Sequence, residues 1–204
     1  MSEVRARQRR MGARDRRESI LAAATEVFAE LGYQRGRTAE VARRLGVSEP
    51  VVFQNFGTKA SLFAAVVRHA AGDVCGLLEQ LIASPVPVAG LLRTMLDPGH
   101  LRSVHSAGTV GAIFAEAAAV SGEPEVETAA REATQRFAVL VADLLDRGRA
   151  GGELRADLDT EAAAWWLLSL VASQRFRQAT APDPDAVETR LAESVLGFLL
   201  APPR

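Results

Sequence analysis

The sequence predicts an all-α protein, on three observations. No stretch alternates apolar and polar residues with period two, as a half-buried strand would. Apolar residues recur instead at helical spacing, as Ile20, Ala24, Val27, Phe28 and Leu31 do. Breaks at Ser84-Pro85-Val86-Pro87, Asp97-Pro98-Gly99, Ser121-Gly122-Glu123-Pro124, residues 148–152 and Ala181-Pro182-Asp183-Pro184 cut the chain into helix-sized pieces.

Taken in order, residues 1–17 hold Arg5, Arg7, Arg9, Arg10, Arg14, Arg16 and Arg17 with almost nothing apolar to bury, which predicts a mobile arm. Such an arm reads either as a solvated tail or as a source of phosphate and minor-groove contacts. Residues 19–31 form an amphipathic helix that Gly32 terminates. Residues 38–45 carry Val41, Ala42 and Leu45 at helical spacing, and Gly46 can take the left-handed conformation that ends a helix. Ser48 then stands as N-cap, with Pro50 at the second helical position, where its missing N–H costs nothing. Val47 and Val52 are spaced for a hydrophobic staple. A longer helix over 59–81 is expected to turn Leu62, Val66, Ala70, Val74, Leu77 and Leu81 inward.

Further helices are expected at 88–96, 101–120 in one or two pieces, 125–147, 160–179 and 185–200. The 125–147 helix has acidic residues at its start and Arg147 at its end, matching the helix dipole. Asp159 is placed to cap a helix that is apolar nearly all round over 162–172, Trp165 and Trp166 included. A helix apolar on every side needs cover on more than one face, and a second subunit is the expected cover, with Leu167, Leu170 and Val171 as candidates to meet it.

The 204 residues, 48% of them apolar, suffice for one compact unit or two small ones. With no run of about 18 apolar residues and no apolar signal core behind the Arg-rich N-terminus, a soluble, cytoplasmic protein with no membrane partner is expected. The one cysteine, Cys75, excludes an internal disulfide and reads as a small core residue. The net charge of −1 hides an asymmetry: residues 1–68 carry 13 basic and 7 acidic side chains, residues 69–204 carry 11 and 18. The basic surplus lies where a module that meets a polyanion would need it.

A helix, a glycine turn and a capped second helix make a helix-turn-helix, whose second helix fits a DNA major groove. Gly46-Val47-Ser48, Phe53, Phe56, Lys59 and Leu62, preceded by Ile20, Ala23, Phe28, Gly32 and Val41-Ala42, resemble the N-terminal domain of TetR-family transcriptional regulators. The resemblance covers about the first third of the chain. Three positions depart from it: Phe53 replaces the usual tyrosine and so lacks a phosphate-contacting hydroxyl, Pro50 replaces a frequent glycine, and Gly36-Arg37-Thr38 stands where a Thr or Ser cap and an aliphatic residue are usual. The stretch Gly152-Glu153-Leu154-Arg155-Ala156-Asp157-Leu158-Asp159, with the helices around it, also looks like this family, whose last long helices pair into a four-helix dimer interface.

Beyond the basic arm at 1–17, the resemblance implies an N-terminal three-helix helix-turn-helix DNA-binding domain at 18–64 and a helical ligand-binding and dimerisation domain at 65–204. It implies a homodimer that binds a palindromic double-stranded DNA operator and is released by a small-molecule effector, most simply as a repressor. The expected DNA-binding residues are Glu49, Val51, Val52, Gln54 and Asn55 facing the groove, where Gln and Asn amides can pair with adenine and Val can touch a thymine methyl. Lys59, the only lysine in the chain, sits where the family has a phosphate contact at a helix start. Arg37, Thr38 and Ser48 are further phosphate candidates, Arg43 and Arg44 read equally as a solvated face, and Phe53 and Phe56 are expected to point into the core.

Met95, His105, Phe114, Phe137, Trp165 and Phe176 are candidates to line an effector pocket, with Arg102 and Arg175 as possible polar additions. The histidines His69, His100 and His105 have no Cys or carboxylate companions at metal-ligand spacing, and no phosphate loop, GxSxG or acid–base constellation is present. No metal, cofactor or catalytic residue is therefore expected. Two rival readings are a small-molecule or lipid carrier with a vestigial helix-turn-helix and an all-α enzyme. The basic arm and Lys59 count against the first, and the missing acid–base groups against the second.

Overall fold

The computed structural model describes residues 12–201, of which Ala13 contributes backbone only. Among the described residues there are eleven helices: α1 (Ala13–Arg35), α2 (Thr38–Leu45), α3 (Glu49–Phe56), α4 (Lys59–Ala83), α5 (Val88–Met95), α6 (Pro98–Val104), α7 (Val110–Ala119), α8 (Pro124–Ala150), α9 (Thr160–Ala172), α10 (Gln174–Thr180) and α11 (Pro184–Leu199). No strand occurs among these residues, only an isolated bridge between Leu154 and Leu200. Most of the expected arm, residues 1–11, lies outside the described residues. Its remainder corrects the expectation, because α1 already begins at Ala13 and Arg14 pairs with Glu18 one turn on.

The chain folds as two compact units, residues up to Ala70 with Ala107–Ala130, and Ala71–Ser106 with the residues from Arg131 on. In the first unit, α1, α2 and α3 bury Ile20, Ala24, Val27, Phe28, Val41, Val52 and Phe56 together with Leu62, Phe63, Val66 and Val67 of α4. Phe28, Tyr33 and Phe63 form an aromatic centre, with ring centroids 4.9 Å apart for Phe28–Phe63 and for Tyr33–Phe63.

The sequence did not announce that α7 joins this core through buried Ala112, Ile113 and Ala117. It is held there by polar contacts as well. Gly108 donates its N–H to the Ala29 carbonyl at 2.9 Å, and the Glu116 carboxylate accepts the Tyr33 N–H at 2.9 Å. That N–H is free because α1 breaks at Gly32, whose φ of 73° and ψ of 173° suit only glycine. A Cβ there would also lie 2.6 Å from a Glu116 oxygen.

In the second unit the core joins Leu78, Val88, Leu92 and Leu96 to Val141, Leu144 and Leu145 of α8, Leu154, Leu158, four residues of α9 and Ala192, Val195 and Leu199 of α11. Leu78 replaces the expected Leu77, which is 56% exposed, a one-residue drift that 3.6-residue periodicity produces along a 25-residue helix. Helix α4 is long and apolar enough to cross a membrane by length and composition, but half of its most apolar window is buried in the molecule, as in a core helix. Cys75 is fully buried within it, as expected, and burial pushes its thiol pKa up.

Arg147 complements its own helix end, as the sequence suggested, and does more besides. Its guanidinium donates to the carbonyls of Leu81 at 2.7 Å, Ile82 at 3.0 Å, Val86 at 2.6 Å and also Ser84, where α4 ends. Charged hydrogen bonds of this kind contribute about 1.5–3 kcal/mol each when buried, less when solvent reaches them. Arg147→Ala is expected to lower unfolding stability by about 2–4 kcal/mol in urea denaturation, and a loss under about 0.5 kcal/mol would show that water replaces the guanidinium.

Asp159 caps α9 as expected, its Oδ1 accepting the Ala162 N–H at 3.0 Å, and Asp97, Thr109 and Asp183 cap α6, α7 and α11 in the same way. The expected 160–179 helix is interrupted at Ser173, and the expected 101–120 helix is indeed two pieces.

Candidate nucleic-acid interface

Helices α2 and α3 are joined at Gly46, which has φ 65° and ψ 29°, the left-handed conformation foreseen for it. Val47 donates to the Ala42 carbonyl at 3.0 Å and Gly46 to that of Arg43 at 3.2 Å, so the turn satisfies the end of α2 and fixes the angle of entry into α3. At the far end Gly57, with φ 79°, donates to the Phe53 carbonyl at 2.7 Å and stops α3 after two turns.

The exposed face of α3 is Pro50, Phe53 and Gln54, continued by Gly57 beyond the helix end, a stripe at i, i+3, i+4 and i+7. Among the expected groove residues Gln54 is on this face, Val51 is half-buried beside it, and three need correction. Val52 is 1% exposed because it fills the core on the opposite side of the helix. The Asn55 side-chain N–H turns back onto the Val51 carbonyl at 2.7 Å. The Glu49 carboxylate accepts the hydroxyl hydrogen of Thr38, which is itself buried and so is not a free phosphate donor. Phe53, expected in the core, is 42% exposed, whereas Phe56 is buried as expected. Pro50 and Phe53 are the face residues that sequence reasoning missed, although their spacing to Gln54 and Gly57 carried the signal.

Ser48 occupies the N-cap position with extended backbone but makes no capping hydrogen bond, so its hydroxyl remains exposed at the start of α3. Arg37 precedes α2 and is exposed. Lys59 is the first residue of α4, whose first turn is capped by the Thr58 hydroxyl accepting the Ser61 N–H at 2.9 Å. Its ammonium donates to the Gln34 carbonyl at 3.1 Å and sits 4.6 Å from the centre of the Tyr33 ring. Burial pushes its pKa down, the Arg37 charge adds to this, and Glu123 opposes it.

Beside Lys59 opens a cleft of about 550 Å³ lined in part by Tyr33, Gln34, Thr58, Glu123 and Glu125. On its wall the Tyr33 hydroxyl donates to Glu123 at 3.0 Å, and burial, then Glu123, raise its pKa to about 12. The Ser61 hydroxyl donates to Glu125.

Both arginines of α2 are claimed by carboxylates. Arg43 donates to Glu40 at 2.6 and 2.8 Å, and Arg44 pairs with Glu30 at 2.5 Å, Glu40 at 3.3 Å and Glu26 at 3.5 Å. The Arg43 hydrogen bond, with Arg44 behind it and burial opposing, holds Glu40 down to about 2 from 4.5. A folded-state pKa depressed in this way contributes stability that is present above pH 4.5 and lost as pH falls through about 2. Glu40→Gln is therefore expected to flatten the acid dependence of unfolding free energy in that window, and denaturation curves as steep as wild type would show that Glu40 contributes nothing to it.

The expected effector residues are distributed over both units. Met95, His105 and Phe137 are half-buried in the second unit, and Phe114 belongs to the first. Trp165 and Phe176 are surface residues, 43% and 68% exposed, because α9 gives its other side to the core and α10 is a short solvent-facing turn of helix. His105 Nδ1 lies 2.9 Å from the Leu101 carbonyl of its own helix. A second cleft, of about 350 Å³, is lined by Arg155, Asp157, Leu158, Asp159, Ala162, Ala163, Trp166 and Phe198, with none of the expected effector residues among them. Among the described residues no group of three or more His, Cys, Asp or Glu could hold a metal ion.

Residues 20–66 match the family model for bacterial regulatory proteins of the tetR family. The chain is 29% identical to the HTH-type transcriptional activator FasR of Mycolicibacterium smegmatis over 69% of its own length and 64% of that protein's, so it spans just under two thirds of that relative. It is 23% identical to the HTH-type transcriptional repressor KstR2 of Rhodococcus jostii over 94% of both chains. Among solved structures, the reduced form of NemR from E. coli superposes with a TM-score of 0.75 at 16% identity, covering 93% of this chain and all of that one. A TetR regulator from Chloroflexus aurantiacus superposes with a TM-score of 0.70 at 20% identity, covering 93% of this chain and 98% of that one.

Proposed function

The chain belongs to the TetR family of bacterial regulatory proteins, and from that premise we propose that it is a homodimeric, ligand-responsive transcriptional regulator that binds a palindromic operator and represses. The observation that carries this reading is the α2–Gly46–α3 geometry, which presents Pro50, Phe53 and Gln54 on one open face with Lys59 one turn beyond. The division of labour we propose is DNA binding by 18–64 and effector binding and dimerisation by 65–204. The protein works in the cytoplasm, by binding alone and without a catalytic step.

On DNA, α3 lies in the major groove. The Gln54 amide pairs with adenine, Val51, Pro50 and Phe53 supply apolar contacts, and Lys59, Arg37 and the Ser48 hydroxyl meet phosphates. Two such helices in a dimer read half-sites about 34–36 Å apart. An effector that binds better to a dimer with another separation weakens operator binding through that difference in affinity. The matched relatives include a protein named as an activator and others named as repressors, and repression is the simpler mechanism, since occupancy of the operator suffices.

The test is selection from a random duplex library with the full chain at physiological salt. An inverted repeat is expected to emerge. Lys59→Ala should weaken binding to all duplexes and lower the salt slope by about one, while Gln54→Ala should relax base preference at one position by about 1–3 kcal/mol. If wild-type protein enriches no sequence, the regulator reading falls.

A further inference from the structure

The carbonyl end of α3 is only partly satisfied by the residues that follow it. An α-helix leaves its last carbonyls unpaired and concentrates negative potential there, and α3 has no basic residue in its last turn to answer it. Gly57 takes up the Phe53 carbonyl and Thr58 the Phe56 carbonyl. The Asn55 carbonyl is met from far away in sequence, by the guanidinium of Arg17 at the start of α1. The same guanidinium lies over the Phe56 ring, 4.0 Å from its centre, and Phe56 is a core residue. One cation thus neutralises the end of α3 and stacks on the side chain that anchors that end in the core. The opposite end is held by the Thr38–Glu49 hydrogen bond.

We propose that Arg17 is a positioning residue for sequence-specific DNA recognition: it fixes the C-terminal turn of the recognition helix from outside the helix-turn-helix and so sets the pitch at which Phe53 and Gln54 meet the bases. This rests on the DNA-binding reading above. Arg17 stands in a stretch whose arginines suggest phosphate contacts, and the two roles differ in consequence. A phosphate contact contributes to every duplex alike, whereas a positioning contact contributes only where base edges must be met in register. The planar fork is needed to donate to a carbonyl while stacked on a ring, a combination that an ammonium does not reproduce.

The experiment uses the full chain as wild type, Arg17→Ala and Arg17→Lys. Arg17 is exposed, so the variants keep the fold, which their circular dichroism verifies. Without DNA, amide hydrogen exchange at Phe56 and Gly57 is expected to speed up about threefold to tenfold in Arg17→Ala, with α2 unchanged.

With DNA, the probes are the duplex that wild-type protein selects from a random library and a scrambled duplex of equal length and composition. Arg17→Ala is expected to lose about tenfold in affinity for the selected duplex, little for the scrambled one, with an unchanged salt slope, and Arg17→Lys to recover only part of the loss. Equal losses on both duplexes with a salt slope smaller by about one, or full rescue by lysine, would overturn the proposal in favour of a phosphate contact. Unchanged exchange at Phe56 and Gly57 would overturn it without reference to DNA. A wild-type chain that selects no sequence defeats the regulator reading instead, and the exchange measurement still decides whether Arg17 holds α3.

Discussion

Replacing Arg177 with leucine is expected to cost about 3–5 kcal/mol of stability and roughly 10 °C in melting temperature. Arg177 of α10 and Glu188 of α11 form a two-pronged pair at 2.8 and 3.0 Å, and the glutamate is 2% exposed. The guanidinium also donates to the Leu170 carbonyl at 2.9 Å, tying the end of α9 to the same pair. Leucine removes the partner of a buried carboxylate and leaves that carbonyl short of a donor, and both desolvation costs fall on the folded state alone. The converse also follows from electrostatics: Arg177→Leu with Glu188→Leu removes both charges and is expected to recover most of the loss, since apolar groups of similar volume replace a buried pair at little cost. Urea denaturation of the two single variants and the double one forms a cycle. A single-variant cost under about 1 kcal/mol would show that water reaches Glu188 once the arginine has gone.

That pair was invisible in the sequence because Arg177 and Glu188 stand among many charges and nothing in their spacing marks them as partners across a turn. What periodicity and turn chemistry could reveal was legible: the helices, the Gly46 turn and the Asp159 cap all follow from local rules. Rotation about a helix axis was less legible. With two turns of helix and apolar residues on several sides, α3 could be turned to place Val52 or Phe53 outward, and only the packing of Val52 beside Phe56 decides. Partners distant in sequence were not legible at all. Glu116 reaches Tyr33 from α7, Arg17 reaches Asn55 from α1, and Arg147 reaches the end of α4 from α8, each through a tertiary fold that no local pattern specifies.

Trp166→Asp is expected to convert a dimer to a monomer and to remove operator binding at nanomolar concentrations. The expectation begins with α9, apolar nearly all round, of which Ala163, Ala164, Leu167 and Leu170 are in the core. Leu167 and Leu170 were candidates to face a second subunit, but their burial makes an Asp at either one a folding mutation. The other side of the helix carries Trp165 and Trp166, 43% and 41% exposed. Phe198 of α11, 50% exposed, meets Trp166 edge to face at 5.4 Å, with the Arg155 guanidinium 5.4 Å from its ring centre. Two large rings in contact on neighbouring helices, flanked by an arginine, have the composition of an interface centre, where truncation costs most. An Asp at Trp166 would be desolvated in a dimer, where the nearby Arg155 is already paired with Asp157, and would be solvated in a monomer, so the penalty falls on association. We expect the dimer dissociation constant to rise at least about a hundredfold, or roughly 3 kcal/mol, with the melting temperature of the monomer little changed. Operator binding falls with it, since one half-site alone leaves each subunit only its own contacts. Sedimentation of wild type, Trp166→Asp and Phe198→Asp at micromolar concentration measures this, and variants that still sediment as dimers would place the subunit interface elsewhere on the surface.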